Sequence, residues 1–284
     1  MAYITHPIPT LTYYTVQPWV LAAVNASDAI FFAGGDQTYY VEYFIDQLGS
    51  ALATRAFHVT VGGTSAGADY LSDIVYAPPH DAAGATSAVV MANPYDYSMA
   101  FANSSFHFTN EFGVDGARRV IADTHYEQRD RMGRGLTFAA RVIADGDVSV
   151  DKGGCAYVVA INERTAVLIE PGGSASVVGS TSAFVCSLCT EPTRCQSGQP
   201  LTAGPYACTR LDVGDAYDFS IWSGGGTNYE LSVQDGSLVG EPYGPAMRRG
   251  SRRGVDGPLV SEVAGLPRRH ERGTGNGASV DAFV

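Results

Sequence analysis

No run of about 18 apolar residues occurs anywhere in the 284 residues, which argues against a transmembrane helix. Basic residues are scarce. Eighteen Lys and Arg face 29 Asp and Glu, for a formal charge of −11. Such a chain repels nucleic acid and anionic membranes unless a local patch overrides the total. The first residues carry neither a basic stretch nor an uninterrupted apolar one, so they do not read as a signal peptide. The 33 glycines follow no three-residue period, which excludes collagen. No internal repeat, phosphate-binding loop or nucleic-acid motif is visible. What is present is a globular composition, 45% hydrophobic, long enough to bury a substantial core.

Charge is distributed unevenly. Seven arginines and five acids lie in 241–284, leaving that tail at +2 and residues 1–240 at −13. The tail also carries Gly, Pro and Ser with almost no apolar periodicity. It reads as a disordered basic extension of a domain spanning 1–240. A basic arm for an acidic partner is the alternative, weakened by the scatter of the arginines in pairs.

Four of the five cysteines, Cys186, Cys189, Cys195 and Cys208, crowd into a Gly/Pro/Thr-rich stretch, with Cys155 apart. Four clustered cysteines can form two disulfides in three pairings. Cys186-x-x-Cys189 also has zinc-ligand spacing, but a second CxxC is missing. Disulfides in an extracytoplasmic, oxidising compartment are therefore favoured over zinc or reduced thiols.

The apolar run 29–33 stops at Gly34-Gly35-Asp36-Gln37, as buried strands of a parallel sheet do. Residues 38–53 show helical spacing. Residues 57–61 form a second strand ending at Gly62-Gly63, and a helix is expected over about 66–74. Strand, helix, strand, helix at short spacing signals an α/β fold. The apolar segment 88–92 is broken by Asn93-Pro94. Residues 117–122 lead into His125, and 131–145 read as a helix. Short strands follow at 156–160, 165–169, 174–178 and 182–185. The segments 216–222 and 228–233, around Gly224-Gly225-Gly226, suit a terminal β-hairpin.

Gly63-Thr64-Ser65-Ala66-Gly67 fits G-x-S-x-G between an expected strand and an expected helix. Small residues allow the sharp turn that exposes a nucleophilic serine. The Ala66 N–H can then hold an oxyanion. The plainer reading is a glycine-rich turn whose serine caps a helix. A serine nucleophile needs a base. Of the six histidines, His125 stands after a strand and opens a polar segment, and it is preferred to His80. Arg129, Arg131 and Arg134 cluster nearby. Arginine forks suit a substrate carboxylate, or they brace the loop by pairing with Asp123, Glu127 and Asp130.

FFAGGDQ at 31–37, GGTSAGA at 62–68 and DTHYEQRDRMGRG at 123–135 stand in order with plausible spacing. Together they resemble the cyanophycinase and dipeptidase E family of serine peptidases. The resemblance implies a class I glutamine-amidotransferase-like (flavodoxin-like) three-layer α/β sandwich, here followed by a β-rich extension. It makes Ser65 the nucleophile, His125 its base, and Gly35 and Ala66 the oxyanion donors. Gln37, Asp123, Arg129, Arg131 and Arg134 match substrate-pocket positions. An acidic residue some fifteen to twenty positions after the serine would orient the histidine, and Asp81 fits that spacing. Asp-containing peptides or cyanophycin-like polymers are the implied substrates. No metal or cofactor is implied, and a homodimer is left open.

The sequence also departs from the family. Thr124 stands where cyanophycinases usually carry glutamine. Asp151-Lys152 stands in place of an acid-glutamate pair. Only some 28 residues precede the strand before GGDQ, where the family has a strand, a helix and another strand. The chain is accordingly expected to be N-terminally shortened. Lys152 and the short N-terminus motivate a second reading, a catalytically impaired binding protein on the same fold. An amidotransferase-like or esterase hydrolase is a third.

Overall fold

The computed structural model describes residues 18–44, 46–56, 58–103, 118–245 and 282–283. The first half alternates helices and strands. Helix α1 (Pro18–Asn25) precedes strand β1 (Ala29–Phe32), then α2 (Gln37–Tyr43), α3 (Asp46–Ala56), β2 (Thr60–Gly63) and α4 (Ala66–Tyr70). Strand β3 (Ile74–Tyr76), α5 (Ser87–Ala92), β4 (Phe101–Asn103), β5 (Arg118–Thr124) and α6 (Met132–Ala144) follow. A 3-10 turn at Val150–Lys152 leads into β6 (Cys155–Ile161), β7 (Thr165–Ile169), β8 (Ser174–Gly179), β9 (Ser182–Leu188) and β10 (Ala203–Asp212). The last strands are β11 (Ala216–Asp218), β12 (Ser223–Gly224), β13 (Thr227–Gln234), β14 (Ser237–Val239) and β15 (Ala282–Phe283). No described helix is long and apolar enough to cross a membrane.

These strands form a seven-stranded sheet, a six-stranded sheet and the β3–β4 pair. The sheets are mixed. β1 runs parallel to β2 and β5 parallel to β6, whereas β6, β9, β10, β13 and β14 pair antiparallel. β6 explains its own continuous apolar sequence. Ala156, Val158 and Ala160 belong to one buried cluster with Leu136 and Phe138 of α6, while Tyr157, Val159 and Ile161 belong to another with Val167 and Val177. A strand covered on both faces loses the alternation of a half-exposed one. α6 is buried along nearly its whole length, including Arg134 and Arg141. A third cluster holds Phe32, Leu48, Leu52, Val61 and Tyr70 under the first helices.

Several sequence expectations are corrected. The helix expected over 38–53 is two helices, broken at Phe44, whose N–H bonds Tyr40 O. Segments 216–222 and 228–233 do not form one hairpin. β11 joins β8 in the seven-stranded sheet, and β13 joins β10 in the six-stranded one. The glycines between them fold back on β11 instead, with Gly225 N–H donating to Ala216 O. The cysteine-rich stretch contains a ten-residue strand, β10.

The disulfides are Cys155–Cys189 and Cys186–Cys208, and Cys195 is free and buried. Pairing is not confined to the four clustered cysteines, because sheet register decides it. Cys186 lies directly opposite Cys208 on β9 and β10. The β6–β9 register, which pairs Ala156 with Leu188, brings Cys155 opposite Cys189. Burial pushes the Cys195 thiol up to about 12, so it stays protonated.

Of the expected disordered tail, residues 246–281 and 284 lie outside the described residues. Within the described part, Glu241–Pro245 continues from the domain. β15 pairs in parallel with β2 and antiparallel with β7. Of the N-terminal segment 11–24, residues 11–17 also lie outside the description, and the rest belongs to α1.

Candidate active site

Ser65 occupies the turn between β2 and α4 with φ 52° and ψ −125°, a strained conformation for a residue with a side chain. The flanking glycines are sterically required. A Cβ on Gly67 would overlap the Phe32 carbonyl of β1, and one on Gly63 would overlap the Gly67 backbone. The G-x-S-x-G pattern thus reflects tight crossing of helix and strands under the serine.

His125 follows the last residue of β5, also at positive φ, 50°. Its Nε2 lies 2.9 Å from Ser65 Oγ. Its Nδ1 lies 2.9 Å from Glu163 Oε1. A carboxylate on Nδ1 favours the tautomer that carries its hydrogen there, leaving Nε2 free to accept from the serine hydroxyl. Glu163 is held by the same turn that holds the histidine. Its N–H donates to Gln128 Oε1, and neighbouring Asn162 exchanges bonds with the Glu127 N–H and carboxylate.

Asp81 does not orient the histidine. It accepts from the Tyr97 hydroxyl at 2.8 Å on the surface, while His125 Nδ1 faces Glu163. His80, the other histidine considered as a base, is held between Asp36 and Glu42 at 3.2 and 3.1 Å and stacks on Tyr39.

A cavity of about 310 Å³ opens beside Ser65. Gly35 and Ala66 line it together with Gln37, Tyr76 and the three arginines. Gly35 and Ala66 donate no backbone hydrogen bond among the described residues, so both N–H groups are free to meet an oxyanion. Gln37 is anchored by its side-chain amide, which donates to Tyr76 O at 2.7 Å.

The arginines divide by role. Arg134 is buried and clasps Asp123 with two N–H groups, one of them at 2.9 Å, while stacking over Tyr76 and Phe138. Arg131 donates to Asp123 at 3.1 Å and to Thr124 O at 2.7 Å. These two therefore brace the loop, and Asp123 is the buried anion they share. Arg129 is exposed at the cavity and makes no ion pair among the described residues. Lys152 is exposed in the 3-10 turn and does not line the cavity.

Two residues of the site were not singled out from the sequence. Glu163 lies just past the end of β6, as His125 lies just past β5, and that shared position was its only signal. Asp69 lies one helical turn after Ser65 and lines the cavity, although it is 5% exposed.

No family model matches the chain, and no curated protein matches it. The solved structures similar to it include a peptidase from an acI-B1 Actinobacterium, 17% identical with a TM-score of 0.45. That match covers 72% of this chain and 65% of the other, so the chain spans about two thirds of the length of the structure it matches.

Proposed function

We propose that the protein is a serine peptidase that cleaves peptide or isopeptide bonds next to aspartate, on a glutamine-amidotransferase-like framework. The observation that carries this reading is the line Ser65–His125–Glu163, two contacts of 2.9 Å at the mouth of a basic-lined cavity.

Chemistry follows from that line. Ser65 Oγ attacks the scissile carbonyl carbon as its proton passes to His125 Nε2. The carbonyl π electrons move to oxygen, where the Gly35 and Ala66 N–H groups receive the charge. Glu163 keeps the imidazole aligned and stabilises its protonated form while remaining ionised. The intermediate collapses and the carbon–nitrogen bond breaks. The leaving amine takes the proton from His125, and the ester on Ser65 remains. Water then attacks, gives its proton to His125, and the serine leaves reprotonated.

Arg129 supports the preference for an acidic side chain, because its guanidinium is uncommitted at the cavity. The two disulfides support an extracytoplasmic setting. A fluorophosphonate probe tests the nucleophile. Wild type is expected to be labelled and Ser65→Ala not, and equal labelling of both would sink the assignment. A panel of Asp-X dipeptides, β-aspartyl dipeptides, cyanophycin and simple esters tests the substrate. Turnover of esters alone would move the reading to an esterase.

A further inference from the structure

Asp69 lines the cavity, is buried, and is an acidic group that the mechanism above does not use. It sits on α4, and its N–H donates to Ser65 O at 3.0 Å, which fixes it directly behind the nucleophile. Its Oδ1 is buried, and the Thr124 hydroxyl, also buried, stands beside the carboxyl; neither atom has another hydrogen-bond partner among the described residues. The residue lines the cavity, so its carboxyl can hydrogen-bond a ligand there in addition to facing Thr124. The neighbouring guanidiniums are engaged elsewhere. Arg131 and Arg134 are committed to Asp123.

We propose that Asp69 is a specificity residue whose protonated carboxyl donates a hydrogen bond to the side-chain carboxylate of an acidic substrate drawn into the cavity by Arg129. This rests on the peptidase reading above and assigns the group that recognises the substrate's acid. The surroundings supply the protonation state. Burial, and then the charge of Asp123, push the Asp69 carboxyl up to about 8 against the opposing pull of Arg134, Arg131 and a hydrogen bond from Thr124. The charged and titratable groups facing it are Asp123 on β5, Arg131 and Arg134 at the start of α6, and Tyr76 on β3. Arg129, Asp36 and His80 line the same cavity. A neutral carboxyl in this place is a donor rather than an anion. An ionised Asp69 would instead repel the substrate carboxylate. The competing role, an anionic Asp69 holding a substrate ammonium, is disfavoured by the three arginines that line the same cavity.

The test measures binding without turnover in Ser65→Ala. Calorimetry from pH 7 to 9.5 compares aspartyl-alanine with asparaginyl-alanine, which share the same titrating amine. The affinity ratio is expected to fall by roughly thirtyfold over that range as Asp69 ionises. With Asp69→Asn added, which keeps a donor and cannot ionise, the ratio is expected to stay constant. A constant ratio in Ser65→Ala, or an equal fall after Asp69→Asn, overturns the proposal. Carbon-13 NMR of aspartate-labelled wild type needs no variant to fold: titration of Asp69 in the ordinary carboxylate range overturns it as well. Failure of aspartyl-alanine to bind at pH 7, with Asp69 titrating near 8, instead defeats the aspartyl-peptidase reading and the substrate role of Asp69 with it.

Discussion

Glu163 Oε1 stands 2.9 Å from His125 Nδ1 across 38 residues of sequence, because two parallel strands end side by side. β5 and β6 pair in register, Thr124 opposite Ile161. The next residues of each strand therefore emerge at the same edge of the sheet. Functional residues of α/β sheets gather at such strand ends. The line from carboxylate to imidazole is thus set by backbone register rather than by any local motif.

If Glu163 holds the imidazole, Glu163→Gln should lower kcat on the best aspartyl substrate by about 10³–10⁴-fold, with KM little changed. Asp81→Asn should leave kcat within about twofold, since among the described residues its carboxylate meets the Tyr97 hydroxyl on the surface and not His125. Steady-state kinetics of the two variants check this. A large loss in Asp81→Asn with little in Glu163→Gln would return the third position to Asp81.

Arg129 and Arg134 should separate cleanly. Arg134→Ala leaves the Asp123 carboxylate buried beside a single remaining guanidinium, a loss of about 3–5 kcal/mol. Thermal unfolding should show a Tm lower by roughly 10 °C. Arg129→Ala breaks no ion pair and should leave Tm unchanged while raising KM for aspartyl substrates over asparaginyl ones. An equal KM effect on both substrates would remove Arg129 from recognition of the acid.

The parts of this site that depend on short-range rules were legible in the sequence. G-x-S-x-G between strand and helix located Ser65, since Gly63 and Gly67 are dictated by contacts within a few residues and with β1. His125 followed from its place after the apolar run 117–122. Glu163 was not legible, because its proximity to His125 depends on which strands are neighbours. The same reason hid the disulfides: Cys155 meets Cys189 only through the β6–β9 pairing. Spacing pointed to Asp81 instead, and spacing along the chain carries no information about sheet order. The arginine cluster was legible as a cluster. Its division into two braces and one free guanidinium required the burial of Asp123, which composition does not reveal.

Reduction should expose how much the two disulfides contribute. They close segments of 34 and 22 residues, each constraining the unfolded chain by about 3.5 kcal/mol in the loop-entropy treatment. The segments overlap, so the effects should not add fully. Denaturant unfolding with and without reductant should shift the midpoint downward on reduction. Under non-reducing denaturation, alkylation should modify one thiol, Cys195. After reduction all five should react. Modification of more than one thiol before reduction would refute the pairing.

Asp69 also predicts a pH dependence of stability, with a definite sign. Its ordinary carboxyl value is about 3.9, whereas burial and Asp123 raise it to about 8 in the fold. The folded protein therefore holds a proton that the unfolded chain releases between those limits. The favourable contribution of the protonated group is complete below about pH 4 and is lost progressively as pH rises toward 8. Above that, the carboxylate is charged in both states and the full desolvation cost of burying it remains. Asp69→Asn removes this proton linkage without removing the donor. The Tm of the variant minus that of wild type should accordingly increase between pH 4.5 and 8 and then level off. Differential scanning calorimetry across that window checks it. A difference that is flat with pH, or that shrinks as pH rises, would mean Asp69 is ionised in the folded protein at neutral pH.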